Sequence, residues 1–337
     1  MKKTALQTHL AALALMFLLG PSAWSAPVDA SAAAAFSEEM RIRHGFDPGQ
    51  LSATFKATTR LDSVLAAMVK PAEKKPWHAY RPIFMTPERI SAGAAFWDQH
   101  EAALAKAETE FGVPASIIVA IIGVETYYGR NAGSYRVLDA LATLAFHFPP
   151  RAPFFRAELE NFLLLARDEG MQPEVPKGSY AGAMGLPQFM PSSFRNFAVD
   201  FDKDGKRNIW TDPIDAIGSV ANYLARHGWQ RDQPVVVAAA TREANAAQAS
   251  EGVDLVKTVA EYRAAGVQPL DDVDSNLKAV LLGFEDSDSM EYWLGFRNFY
   301  AITRYNRSPK YALAVAQLAE AVAQKRRLRA DRQARAP

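Results

Sequence analysis

The chain of 337 residues contains no cysteine. No disulfide can brace it, so its stability must come from a packed core, and no lipid can be attached through a cysteine at a processed N-terminus. A long apolar run is missing too. The stretch Leu10 to Leu19 is ten residues, against the roughly 20 that a membrane-spanning helix needs. With Lys2 and Lys3 before it and Ala23-Trp24-Ser25 after it, it reads as a secretory signal cleaved near Ser25 or Ala26. The remainder is expected to be exported and soluble.

Strong charge of either sign is absent as well. Lys and Arg number 38 against 37 Asp and Glu, and without Lys2 and Lys3 the balance is 36 against 37, a net charge of −1. This argues against a nucleic-acid partner. The exception is the tail, where Lys325, Arg326, Arg327, Arg329, Arg332 and Arg335 face only Asp331. It reads as a solvated, frayed end or as a contact for an anionic surface. No internal repeat is visible.

What the chain does have is 49% hydrophobic residues, enough over roughly 310 residues for a large core and two or three domains. Ala-rich amphipathic segments near 31–43, 87–110, 114–128, 153–168, 213–227 and 309–327 predict a mainly helical fold. Strand signals cluster in Pro234 to Ala238 and Lys278 to Phe284, so 231–297 reads as a small module with some β structure.

One helix stands apart. It is expected to begin at Pro114 and to end at Gly129, and between them Ile117, Ile118, Val119, Ala120, Ile121, Ile122 and Val124 leave almost no polar face. Glu125 is its one charged side chain. In the last turn, the helix dipole and desolvation both favour the protonated acid, which is what a general acid needs. The alternative is a glutamate that simply reaches solvent at a helix end.

Downstream, KGSYAGAMGLPQFMPSSF (177–194) has glycines and Pro187 that forbid a regular element, with Ser179 and Gln188 as neutral hydrogen-bonding groups. It reads as a groove wall or as a surface loop, although Met184, Phe189 and Met190 are too apolar for the latter unless they pack or bind. Tyrosines recur near these segments, suited to stacking on sugar rings or to the core. The acidic loop Asp200-Phe201-Asp202-Lys203-Asp204-Gly205-Lys206 presents oxygens at positions 1, 3 and 5 with glycine at 6, as an EF-hand does. Position 12 is Thr211 rather than glutamate, followed by Asp212 and Asp215. These acids either help to hold a hard cation or cap the next helix, and the two roles are compatible.

GVETYYGR, RVLDALATLAFHFPPRAPFF, GSYAGAMGLPQFMPSSF, the acidic loop, DAIGSVANYLARHGW and NFYAITRYNRS resemble, in order, the lytic murein transglycosylase B family. The likeness runs from about Tyr80 to the C-terminal helix. It implies a mainly α (α+β) fold: a helical domain at 26–110 completed by 298–337, a lysozyme-like catalytic core at 111–230, and a β-containing insertion at 231–297. It also implies non-hydrolytic cleavage of the β-1,4 bond between N-acetylmuramic acid and N-acetylglucosamine in peptidoglycan, with Glu125 as acid and then base, leaving a 1,6-anhydromuramyl end. No second carboxylate stands out in the matched groove motifs. Asp139, the nearest, reads as a helix-end or core-edge residue.

By the same resemblance, Ser179 and Gln188 line the subsites beside the scissile bond. Tyr80, Arg151, Phe189, Tyr223, Tyr300, Tyr305 and Asn306 also contact the glycan. Asp200, Asp202, Asp204, the Lys206 carbonyl and Asp215 would hold a structural calcium ion, with no catalytic cofactor. Lacking a lipidated cysteine, the chain resembles the soluble periplasmic forms. It is expected to act on glycan strands as a monomer, with cell-wall synthesis enzymes as companions. Two other readings stay open: a hydrolytic muramidase on the same core, and a non-catalytic glycan-binding scaffold.

Overall fold

A computed structural model describes residues 27–69, 75–241, 249–250 and 252–334. The expected secretory signal and Arg335 lie outside them. The chain enters through α1 (Ala30–His44), α2 (Pro48–Lys56), α3 (Asp62–Ala67) and the single turn α4 (Trp77–Tyr80). Asp29 and Asp47 cap the first two helices, each accepting backbone N–H groups that the first turn cannot satisfy itself. The segment expected as one helix over 87–110 is two, α5 (Pro87–Gln99) and α6 (Glu101–Phe111). His100 breaks it, with φ −118° and ψ 27° outside the helical region.

Next come α7 (Ala115–Thr126), α8 (Val137–His147) and α9 (Ala152–Asp168), then α10 (Pro191–Phe197) and α11 (Pro213–Arg226). Between them β1 (Tyr135–Arg136) pairs antiparallel with β2 (Lys177–Gly178). This ribbon corrects the expectation that the glycine-rich loop holds no regular element. Two residues per strand are too few to show a period.

The remaining strands are β3 (Val236–Thr241), β4 (Lys257–Thr258), β5 (Val267–Pro269), β6 (Lys278–Glu285) and β7 (Met290–Gly295). They form an antiparallel sheet in the order β4-β6-β7-β3-β5, accompanied by α12 (Val259–Ala264). Between its charged, exposed ends Lys278 and Glu285, β6 is apolar because both its faces are covered. Val280, Leu282 and Phe284 join the main core, while Ala279 and Leu281 pack with Val259, Tyr262 and Leu294 in a second cluster. The sheet is therefore seated on the helices. Phe284 lies 5.3 Å from Trp77 in α4, and the Trp77 indole donates to Glu291 of β7 at 3.3 Å.

The chain ends in α13 (Arg297–Thr303) and α14 (Pro309–Ala334), whose 26 residues give a rod about 39 Å long. Against it, and against α5, α6 and α11, lies α7, buried on nearly every side. The expected mainly helical class is borne out. Among the described residues no single helix is long and apolar enough to cross a membrane.

The ends of α7 differ from expectation. Pro114 is its N-cap rather than its first residue, and the C-cap is Tyr127 in the left-handed region, two residues before Gly129. Tertiary packing overrides the usual preference for glycine there. The Tyr128 ring is lodged where α5 and α7 touch: a Cβ at Gly93 would sit 2.3 Å from its hydroxyl and one at Gly123 2.6 Å. Gly123→Ala separates propensity from packing. Helix propensity alone predicts a gain of about 1 kcal/mol, whereas the displaced Tyr128 predicts a net loss of about 1–3 kcal/mol in denaturant unfolding; a stabilised variant would refute the packing account.

Candidate active site

Glu125 occupies the last turn of α7 and is half-buried. The partner that grips it comes from the far end of the chain. Tyr311 in α14, 2% exposed, donates its hydroxyl to Glu125 Oε1 at 2.6 Å. Burial first, and then the Glu125 charge, push the Tyr311 phenol well above its ordinary pKa; Tyr305 and Tyr80 add to the shift. The phenol therefore stays protonated and remains a donor.

Two further phenols close round the same carboxyl. Tyr305 donates to the carbonyl of Pro187 at 2.8 Å, and burial, then Glu125, then Tyr223 raise its pKa well above the usual value. Tyr223 of α11 donates to the carbonyl of Arg304 at 2.5 Å. Burial pushes Tyr223 up to about 12, with Arg304 opposing and Glu125 adding. Phe189 lies 5.5 Å from the Tyr223 ring and 5.8 Å from Tyr305, and those two rings are 4.7 Å apart. Glu125 thus stands over a floor of aromatic rings whose polar tips are already satisfied.

The groove loop is stitched to the end of α7. Thr126 Oγ1 donates to the Leu186 carbonyl at 3.1 Å and accepts from Gly129 N at 3.0 Å. Ser179 Oγ accepts from Ala181 N and Ala183 N at 3.3 and 3.1 Å, so the side chain holds the loop's bend while its own proton can be donated outward. Gln188, at φ 51°, donates through Nε2 to the carbonyls of Gly185 (2.8 Å) and Ala132 (3.2 Å). Behind it, Leu186 N donates to the Ile209 carbonyl at 2.8 Å. Gly185 permits that approach, since a Cβ there would meet the Ile209 oxygen at 2.4 Å.

The same Ile209 belongs to the acidic loop. Oxygens of Asp200, Asp202 and Asp204 lie within 4.8 Å of one another, as do those of Asp202, Asp212 and Asp215. Lys203 (φ 67°) and Gly205 (φ 90°) turn the loop. Asp200 accepts from Asp204 N and Gly205 N, and Asp215 accepts from Phe201 N and Asn208 N, both at 2.7 Å. Burial first raises the Asp215 pKa; the two backbone bonds oppose it, and Asp212 and Asp202 add to it. Carboxylates gathered in one loop form an oxygen donor set suited to a hard cation. Asp212 also caps α11 by accepting from Ile214 N at 2.7 Å while its carboxylate lies with those of Asp202 and Asp215.

Of the residues expected in the site, Glu125, Tyr80, Phe189, Tyr223 and Tyr305 come together, with Ser179 and Gln188 on the adjoining loop. Tyr80, Phe189 and Tyr223 are only 1%, 2% and 7% exposed, so they support the groove more than they offer faces to it. Arg151 sits at the surface over Phe154 and Phe155, and Tyr300 lies beside Arg297 and Arg304. No bond among the described residues joins either to the cluster. Asn306 precedes α14 and accepts from Ser308 N. Asp139 receives two bonds from Arg136 and one from Thr59 N, a joint rather than a reacting group. Tyr311 was missed. It starts an apolar helix among Ala312, Leu313 and Val315, where a tyrosine reads as core.

A single carboxyl held by a phenol over an aromatic floor, on a mainly helical frame, is an arrangement suited to acid–base chemistry. The family described as Transglycosylase SLT domain matches residues 29–320, and the chain belongs to it. It is 47% identical over 298 residues to the membrane-bound lytic murein transglycosylase B of Escherichia coli (strain K12), covering 86% of this chain and 81% of that protein. Among solved structures, the soluble lytic transglycosylase SltB1 from Pseudomonas aeruginosa is 53% identical with a TM-score of 0.83, covering 87% of this chain and 99% of that one. Slt35 of Escherichia coli, solved in complex with calcium, is 46% identical with a TM-score of 0.81, covering 88% and 93%. SltB3 from Pseudomonas aeruginosa, solved with NAG-anhNAM-pentapeptide, is 32% identical with a TM-score of 0.77, covering 87% and 79%.

Tyr311→Phe removes one charge-assisted hydrogen bond, worth about 1.5–3 kcal/mol. Turnover is expected to fall about ten- to hundredfold in a folded enzyme. The alkaline limb of the pH–rate profile should move to higher pH, because the lost donor favoured the ionised carboxylate. Native turnover with an unmoved limb would show that the bond has no part in the chemistry.

Proposed function

We propose that this chain is a lytic transglycosylase that cuts peptidoglycan glycan strands between N-acetylmuramic acid and N-acetylglucosamine, with Glu125 as its acid and base. The observation that carries the role of Glu125 is its hydrogen bond from the buried Tyr311. That bond fixes one carboxyl oxygen and orients the other for proton exchange. The glycosidic oxygen takes the proton from Glu125 as the bond to the muramyl C1 breaks. The resulting carboxylate then takes the proton of the muramyl 6-hydroxyl as that oxygen bonds to C1. No water is consumed and Glu125 returns protonated.

A protein nucleophile is unnecessary because the substrate supplies its own, in contrast to the paired carboxylates of most glycosidases. Ser179, Gln188, Tyr305 and Asn306 line the subsites in this reading, and Tyr80, Phe189 and Tyr223 shape the floor. Arg151 and Tyr300 contact glycan further out. Catalysis is assigned to 111–230, with the helices of 26–110 and 298–337 and the sheet module of 231–297 as supports.

Asp200, Asp202, Asp204, Asp215 and the Lys206 carbonyl would hold calcium in a structural role, with Asp212 beside them. It would screen the crowded carboxylates and fix the loop behind Leu186. The chain is further proposed to work in the periplasm as a monomer, freed of its signal and without a lipid anchor, alongside cell-wall synthesis enzymes.

Glu125→Gln is expected to fold and to bind glycan while losing nearly all release of anhydromuramyl products from purified sacculi, read by mass spectrometry. Retained release would remove Glu125 from the mechanism, and reducing muramyl ends from the native enzyme would point to a hydrolytic muramidase. For the cation, calcium at about 100 times its dissociation constant should add about 2.7 kcal/mol of stability and raise the thermal midpoint. Asp202→Ala combined with Asp204→Ala should abolish the increment; a native enzyme that calcium does not stabilise has no such site.

A further inference from the structure

We infer that Arg89 is a positioning residue for the catalytic carboxyl, locking the last turn of α7 and the left-handed turn behind it; the inference rests on Glu125 being that carboxyl. Directly after Glu125 and Thr126, three successive residues have positive φ: Tyr127 at 53°, Tyr128 at 59° and Gly129 at 89°. Two tyrosines in this region are held against their steric preference, so their surroundings must hold them. Arg89, in the first turn of α5, supplies much of that hold.

Arg89 Nη1 donates to the Gly123 carbonyl at 2.5 Å, and that oxygen also accepts from Tyr127 N at 3.1 Å. The same guanidinium lies 4.6 Å from the centre of the Tyr127 ring and 5.5 Å from that of Phe84. It therefore clamps the backbone before the turn and the side chain within it. Tyr128 fills the glycine-lined gap between the two helices on the other side.

No ion pair among the described residues includes Arg89, and its electrostatic neighbours are the phenols of Tyr128 and Tyr127. Its Nε and the Tyr128 hydroxyl are enclosed without a hydrogen-bond partner. A half-buried cation without a carboxylate is unfavourable unless another negative group meets it. Here the C-terminal end of α7 does so, through the carbonyl two residues before Glu125. The groups facing Glu125 from other elements include Tyr311 of α14, Tyr305 ahead of that helix and Tyr223 of α11, with Arg304 acting on Tyr223. The three phenols are neutral at working pH; Arg130 lies 4.7 Å from the centre of the Tyr127 ring, and Arg89 is the cation that donates to the Gly123 carbonyl of this helix end.

The test compares Arg89→Met, Arg89→Lys and Glu125→Gln in the full chain, on purified sacculi, reading kcat, KM and the pH–rate profile of folded enzyme. Arg89→Met is expected to lose about ten- to hundredfold in kcat with KM held within about threefold, since the residue touches no substrate. Its alkaline limb should move to higher pH. Arg89→Lys, which keeps the charge but not the planar fork, should restore the limb and only part of kcat. An inactive Glu125→Gln beside an Arg89→Met with native kcat and pH profile would overturn the inference and leave the role of Glu125 standing. An effect confined to KM or to the thermal midpoint would overturn it equally. If Glu125→Gln stays active, the reading of Glu125 falls and this inference falls with it. Should Arg89→Met not fold, Arg89→Lys decides: a native limb with reduced kcat supports positioning, and native kcat refutes it.

Discussion

A carboxyl group at the end of a helix with no polar face has to be held by groups brought to it from elsewhere, and the architecture around α7 answers that constraint. Being buried on nearly every side, α7 gives Glu125 a rigid mount but little polar company of its own. The company arrives from α14, 186 residues later, as the Tyr311 phenol. Tyr305 and Tyr223 follow from neighbouring segments, each with its hydroxyl committed to a backbone carbonyl. Long-range packing of helices thus becomes a local arrangement of donors around one acid.

A second line of bonds ties this acid to the groove and to the acidic loop. Thr126, next to Glu125, holds the Leu186 carbonyl; Leu186 N holds the Ile209 carbonyl; and Asn208, beside Ile209, is held through its N–H by Asp215. The links, at 3.1, 2.8 and 2.7 Å, run from the last residue of α7 through two irregular segments to the first turn of α11. Cation binding at the acidic loop would therefore be felt at the groove wall through stiffness, without any ligand reaching the reacting atoms. The β-module has a similar bearing on Tyr80, since Phe284 and Glu291 hold Trp77 one turn away from it.

Much of this was legible in the sequence, for identifiable reasons. The run from Ile117 to Val124, framed by Pro114 and Gly129, reads as a buried helix, and a lone glutamate in its last turn is conspicuous. The spacing Asp200, Asp202, Asp204, Gly205 announces its loop through the oxygens it repeats. Tyr311 was not legible, because its function depends on where α14 docks and its neighbours read as core. Arg89 was hidden in the same way, in the first turn of an amphipathic helix. The caps of α7 were displaced because Tyr127 and Tyr128 adopt backbone angles that local propensity assigns to glycine, with Tyr128 lodged in the Gly93–Gly123 gap and Arg89 and Arg130 on the Tyr127 ring. β1, β2, β4 and β5 have two or three residues each and take their pairing from tertiary contacts.

The proposed chemistry asks for one acid and no protein nucleophile. A hydrolase must admit and activate water, whereas in the proposed reaction the attacking oxygen arrives on the substrate and the carboxyl serves twice. The measurement that separates the two most directly is digestion of purified sacculi in water enriched in oxygen-18, followed by mass spectrometry of the released muropeptides. The account predicts anhydromuramyl ends carrying no solvent-derived label. Oxygen-18 at the muramyl C1 of primary products would contradict it.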